Sequence, residues 1–181
     1  LTLYSYYIHS YHMKKFKKDK GILFWITGLP GSGKTSIAKV IFPYVKKKFG
    51  QTILISGDDL RKLFELKSFS KKNRLSYALF YSKICKLLTD KNINVILATV
   101  SLFNSVRNWN KNNIKNYLEI YIKADIESVI NQKRKYFYKK KTKNVVGKNL
   151  KAEFPKAPDI ILKNNFKRSI KRLSKELIGK I

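Results

Sequence analysis

The sequence predicts an α/β architecture, a parallel sheet of about five strands with helices on both faces. Three observations point there. Short apolar runs of strand length alternate with amphipathic helical stretches along nearly the whole chain. The first run enters a glycine-rich turn, Gly28-Leu29-Pro30-Gly31-Ser32-Gly33-Lys34-Thr35-Ser36, that opens directly into a helix. The early apolar runs are continuous rather than alternating, as expected of strands covered on both faces.

The turn holds the complete G-x-x-x-x-G-K-[ST] pattern at Gly28, Gly33, Lys34 and Thr35, with Gly31 as a third position lacking a side chain. Polyphosphate must come close to the main chain so that several N–H groups point at its oxygens, and a Cβ at the tightest points would block that approach. Pro30, Ser32 and Ser36 complete the loop around the phosphates. Lys34 supplies a mobile cation for the β- and γ-phosphates of ATP, and the Thr35 hydroxyl is placed to ligate the bridging Mg²⁺. The architecture expected is therefore the P-loop nucleoside-triphosphate-hydrolase fold.

In chain order, residues 21–27 form the strand leading into the loop, and Ile37, Ala38, Ile41, Val45 and Phe49 form the stripe of the helix leaving it. Residues 51–56 read as a second strand, followed by Gly57-Asp58-Asp59 and a short helix from Leu60. Helical spacing returns over 71–88, with Leu75, Ala78, Leu79, Ile84, Leu87 and Leu88 mostly on one side. Residues 92–100 form a third strand, and Ser101-Leu102-Phe103 turns into a helix carrying Arg107 and Trp109. Residues 117–123 are a fourth strand, and Asp125 is the N-cap expected for the next helix. Residues 159–162 make the last strand, and Ile170, Leu173, Leu177 and Ile181 set the face of a closing helix.

The 181 residues suit one domain with a sizeable core. Residues 13–181 are expected to form a single P-loop kinase domain. Met13, the only methionine, reads as the natural start, which leaves 1–12 as an upstream or disordered leader. Both histidines, His9 and His12, fall in that leader, so the domain has no histidine for acid/base chemistry, metal binding or a triad. Cys85 is the only cysteine and sits in an apolar helical run, so no disulfide is available and a core position is expected. No run approaches the ~18 apolar residues of a membrane span, no secretory leader is visible, and a cytoplasmic protein without a membrane partner is expected.

Lys and Arg total 40 against 11 Asp and Glu, a formal net charge of +29. Such a chain attracts polyanions of every kind. Lysine is enriched in loops and helices alike, so the charge does not single out a nucleic-acid surface. Asp58 and Asp59 are the only acids expected just past the C-terminal end of a core strand, where ligands of such sheets bind. Phosphoryl transfer needs Mg²⁺, charge neutralisation and a carboxylate to orient or deprotonate the attacking hydroxyl. Asp58 is the candidate carboxylate, with a role at the metal as a second possibility and simple helix capping as the alternative. Arg61 and Arg74 have the planar guanidinium groups that clamp a second anion. Residues 134–157 are basic with interleaved aromatics, a connection long enough to read as a lid over the nucleotide, with a long solvated loop enriched in lysine as the alternative.

Residues 24–35, Phe-Trp-Ile-Thr-Gly-Leu-Pro-Gly-Ser-Gly-Lys-Thr, resemble the opening of adenylylsulfate kinases, where an F-W-x-T-G-L run leads into the phosphate loop. Gly57-Asp58-Asp59-Leu60-Arg61 looks like the family's D-G-D-N-L-R, and Ser68-Phe69-Ser70 with Arg74 continues the likeness. Ser101 with Phe103 matches I-S-P-[FY], Tyr138-Lys139-Lys140 resembles the L-Y-K-K lid, and 144–147 stands at N-F-T-G. The resemblance implies transfer of the γ-phosphate of ATP to a ribose hydroxyl of a small-molecule nucleotide acceptor, adenylylsulfate in the family at large. It implies Asp58 as catalytic carboxylate, Arg61 and Arg74 on the acceptor's anion, Phe69 stacked on its base and Lys139 in the lid. Ser101 becomes a candidate for the chemistry, with helix capping as its alternative.

The departures fall on the acceptor side. Ser56 replaces the first acid of D-G-D, Tyr77 stands at an acceptor-binding Asn, and Val145-Val146 replaces Phe-Thr, which puts Val146 in the acceptor pocket. Gln132-Lys133-Arg134 replaces R-D-P. Losing a stacking ring costs on the order of 1–3 kcal/mol for the usual base. The chain also resembles divergent relatives in bacterial capsule pathways that phosphorylate a cytidine diphosphate derivative bearing phosphoramidate. Both acceptors stay open. A third reading, from another class, is a basic P-loop ATPase that binds nucleic acid; the third strand, ending Ala98-Thr99-Val100, lacks the acidic switch such machinery needs. The sequence admits a homodimer without specifying one.

Overall fold

The structure, a computed structural model, describes residues 16–132, 146–148 and 150–181. The leader 1–12 and most of the expected lid, Lys139 included, lie outside the described residues. The elements run β1 (Ile22–Gly28), α1 (Lys34–Phe49), β2 (Thr52–Ser56), α2 (Gly57–Leu63), α3 (Lys71–Asp90) and β3 (Asn94–Thr99). They continue through α4 (Asn104–Asn113), β4 (Asn116–Lys123), α5 (Ile126–Asn131), β5 (Ile160–Lys163) and α6 (Ile170–Ile178). The strands form one parallel sheet in the order β2-β3-β1-β4-β5, with Thr27 opposite Thr99 and Gly28 opposite Ile122.

Burial follows sheet position. β1, β3 and β4 are buried along all or nearly all of their length because helices cover both of their faces. Along β1, Ile22, Phe24 and Ile26 enter the core shared with Ile37 and Ile41 of α1 and Leu173 and Leu177 of α6. Leu23 and Trp25 enter the opposite core, with Ala78 and Cys85 of α3 and Val106 of α4. The edge strands are less covered, and Ile53 of β2 and Ile161 of β5 are exposed.

Two sequence expectations hold with one detail changed in each. The buried residues of α3 are Ala78, Tyr81, Ser82, Cys85 and Thr89, while Leu87 is 61% exposed. Leu75, Leu79, Ile84 and Leu88 are partly buried and pack against the same core as Ala78, so the expected stripe holds except at Leu87. Asp125 is the N-cap of α5, but its side chain makes no capping hydrogen bond.

β4 carries one charge into the core. Glu119 is 1% exposed and meets Arg107 of α4 at 3.2 Å. Its main-chain N–H donates to Asp159 Oδ2 at 2.7 Å, tying the start of β5 to β4. Burial lowers the Arg107 pKa, and the Glu119 carboxylate opposes that shift.

Candidate active site

In a parallel sheet the strands end on the same side, so the loops after β1, β2 and β3 converge there. They enclose a cleft of about 370 Å³. Pro30, Gly31, Gly33, Lys34, Thr35 and Ser36 form one wall. Gly28 and Ser32, also expected to bind phosphate, are not part of that wall. Gly28 holds φ +150°, and a Cβ there would stand 2.5 Å from the Ile122 carbonyl oxygen, so the loop leaves β1 pressed against β4. The buried Ser32 Oγ has no hydrogen-bond partner among the described residues. Gly33 sits at φ +94° as the N-cap of α1, a backbone state that favours glycine. Lys34 is buried, and its Nζ donates to the Leu29 carbonyl at 2.7 Å, folding the ammonium over the loop.

After β2 the two acids separate. Asp59 is the N3 residue of α2 and closes a capping box with Ser56. Asp58, exposed, has no part in that box and lines the cleft. Gly57 lines it too, and a Cβ there would lie 2.9 Å from Thr99 Oγ1. Glycine thus lets the ends of β2 and β3 approach.

Arg61, Phe69, Arg74 and Tyr77 build the opposite end. The Arg61 guanidinium lies 3.9 Å from the Phe69 ring centroid and 5.4 Å from that of Tyr77. Its Nη2 donates to the carbonyls of Leu66 at 2.6 Å and Ser68 at 3.1 Å. Arg74 Nε donates to the Phe69 carbonyl at 3.0 Å, with its guanidinium 5.0 Å from the same ring. Phe69 therefore has two cations near its ring while 49% of its surface stays exposed. Burial, and then the Arg61 charge, holds Arg74 below its ordinary pKa. An anion placed here would relieve that repulsion.

Tyr81 was not anticipated. It follows Arg74 and Tyr77 at helical spacing, and its hydroxyl donates to the Gly57 carbonyl at 3.5 Å. Burial is the main cause that pushes its phenol up to about 12; Asp58 and Tyr77 add to the rise and Arg61 opposes it. The i, i+3, i+7 spacing was the available signal, masked by the leucines of the same helix.

Ser101 closes the floor beside Thr99, 1% exposed, and its Oγ has no partner among the described residues. It does not cap α4: the N-cap is Phe103, and the Asn104 N–H donates to Glu153 Oε2 at 2.6 Å. Glu153 also donates its main-chain N–H to the Leu102 carbonyl at 3.0 Å, so the C-terminal part of the expected lid is clamped to the turn that carries Ser101. Val146 is buried with Leu29 and Leu102 and lines the cleft. The site thus pairs a polyphosphate cradle with a second cationic, aromatic pocket across one cleft, the layout for moving a phosphoryl group between two anionic ligands.

Known proteins resemble this chain in sequence and fold. The sequence profile of the family described as adenylylsulphate kinase matches residues 20–163. The cytidine diphosphoramidate kinase of Campylobacter jejuni is 32% identical over 168 residues, covering 91% of this chain and 98% of that protein. A probable adenylyl-sulfate kinase of Aeropyrum pernix is 34% identical over 153 residues, 80% of this chain and 84% of that one. The structure of a Mycobacterium tuberculosis APS kinase in complex with AMPPNP and APS aligns with a TM-score of 0.77 over 89% of this chain and 97% of that one; at 24% identity it shows the fold. The match extends from the first strand through the last, and the chain is an ATP-dependent phosphotransferase that belongs to the adenylylsulphate kinase family.

Proposed function

We propose that this kinase transfers the γ-phosphate of ATP to a ribose hydroxyl of a cytidine diphosphate derivative with an anionic tail, of the cytidine diphosphoramidate type. The observation that carries this reading is the acceptor end of the cleft. Tyr77 at that end, and Val146 elsewhere on the cleft lining, align with an Asn and a Thr of adenylylsulfate kinases, in a chain similar to the Campylobacter enzyme over 98% of that enzyme's length. An added ring and a lost polar side chain favour a smaller base over a purine.

In this reading the loop N–H groups and Lys34 hold the β- and γ-phosphates. The Ser32 hydroxyl, buried without a partner among the described residues, fits a loop built for acceptor-rich ligands. Thr35 and Asp58, both exposed on the cleft, are the residues to hold Mg²⁺. One hydroxyl, one carboxylate and substrate phosphates suffice for that ion. Mg²⁺ supplies charge neutralisation on the transferring group. Asp58 accepts the proton of the attacking hydroxyl as its oxygen bonds to the γ-phosphorus and the bond to the β-phosphate oxygen breaks, releasing ADP. Arg61 and Arg74 grip the acceptor's anion, Phe69 stacks on its base, Val146 packs against it, and Ser101 donates from the floor. Lys139 belongs to the lid.

The retained Arg61, Phe69 and Arg74 support a second reading with adenylylsulfate as acceptor. ADP release measured with MgATP and each acceptor separates the two. Faster turnover with the cytidine compound supports the proposal, and faster turnover with adenylylsulfate overturns it in favour of the second reading.

A further inference from the structure

Asn164, just past β5, reaches the phosphate loop from behind. It is 3% exposed, and both ends of its amide are committed. Nδ2 donates to the Ser32 carbonyl at 3.0 Å, and Oδ1 accepts from the Phe166 N–H at 3.0 Å. Its own N–H donates to the Lys123 carbonyl at 2.8 Å, so β4 fixes the residue's position. Turning the amide over would set oxygen against oxygen at Ser32 and N–H against N–H at Phe166; the orientation is therefore determined.

The Ser32 carbonyl shares a peptide unit with the Gly33 N–H. No described peptide bond is cis, so the two groups point in opposite directions. A donor that holds the carbonyl at the back of the loop directs the Gly33 N–H away from itself, and Gly33 lines the cleft. The restraint is needed because the unit ends on Gly33, at φ +94°, and glycine lets such a unit rotate at low cost. Ile170 of α6 closes the same side, 3.2 Å from where a Gly33 Cβ would lie.

We infer that Asn164 is a positioning residue for nucleotide binding: it locks the Ser32–Gly33 peptide so that the Gly33 N–H is presented to the nucleotide's phosphates. The inference rests on ATP binding by the loop and is independent of which acceptor is used.

ADP binding tests it without any acceptor. Asn164→Ala removes the donor, and Asn164→Asp sets a carboxylate oxygen against the Ser32 carbonyl. Asn165→Ala is the control, since it removes a hydrogen bond to the Lys167 N–H in the same turn without touching the loop. In calorimetric titration Asn164→Ala is expected to weaken ADP about tenfold, the scale of one or two neutral hydrogen bonds, and Asn164→Asp to weaken it more. The KM for ATP should rise in parallel while the acceptor KM moves less than about twofold. Unchanged ADP affinity in a folded Asn164→Ala protein would overturn the inference. Equal weakening by Asn165→Ala, or parallel rises in both KM values, would do the same by showing a general structural role.

Discussion

Ser56 and Asp59 close on each other at the start of α2. Ser56 Oγ donates to Asp59 Oδ2 at 2.7 Å, and the Asp59 N–H donates back to Ser56 Oγ at 3.1 Å. A further bond runs from the Ser56 N–H to Asp59 Oδ2 at 3.1 Å. One acid of the pair is thereby committed to the helix, and the other borders the cleft.

The two acids should therefore fail differently. Asp59→Ala is expected to cost about 1 kcal/mol of stability, as loss of a cap does, with kcat little changed. Asp58→Asn should leave the unfolding midpoint in place and lower kcat by about 10²–10⁴. Urea unfolding and steady-state kinetics on both variants decide it, and a stability loss confined to Asp58→Asn would reverse the assignment.

Arg61→Lys should not be conservative. A lysine cannot keep a planar group against the Phe69 ring while donating to the carbonyls of Leu66 and Ser68. The acceptor KM is expected to rise about tenfold or more, with the KM for ATP within about twofold, because the loss falls on the acceptor's charge-assisted hydrogen bonds. Equal effects on both substrates would mean that Arg61 supports the fold instead.

Glu119→Ala should be among the most destabilising substitutions of the core. It removes the ion-pair partner of the buried Arg107 guanidinium, which Glu119 meets at 3.2 Å and which keeps a neutral hydrogen bond to Asn104 Oδ1. Removing one partner of a buried pair typically costs about 3–5 kcal/mol. Denaturant unfolding of the variant reads this directly, and a loss below about 1 kcal/mol would show that Arg107 finds other partners.

Cys85 should be inert in the native protein. Burial pushes its thiol from an ordinary 9.0 up to about 12. Its folded pKa is raised, so its share of the stability is complete below pH 9.0 and is lost as pH rises toward about 12. A thiol reagent near pH 8 is expected to label it only after denaturation; labelling of the native protein at the rate of a free thiol would contradict its burial.

The central frame was legible because it is local. The apolar run, the glycine pattern and the stripe of α1 lie within one stretch of chain, and strands covered on both faces announce themselves by continuous hydrophobicity. The face of α6 was legible too, since Leu173 and Leu177 are its buried leucines. What stayed hidden depends on tertiary contact. Which of Asp58 and Asp59 caps α2 is decided by where Ser56 points. Tyr81 reaches Gly57, 24 residues away, only because α3 packs back against the sheet. Glu153 caps α4 from 49 residues away, and Asn164 touches Ser32 across a separation of 132. No periodicity encodes such pairs.

Product analysis tests the central claim most directly. The enzyme is incubated with MgATP and cytidine diphosphoramidate, and phosphorus NMR follows ADP formation together with any new phosphate monoester. The expected result is one monoester on a ribose hydroxyl for each ADP formed, abolished by Lys34→Ala. ADP accompanied only by inorganic phosphate, with hydrolysis stimulated by nucleic acid, would contradict transfer to a nucleotide acceptor.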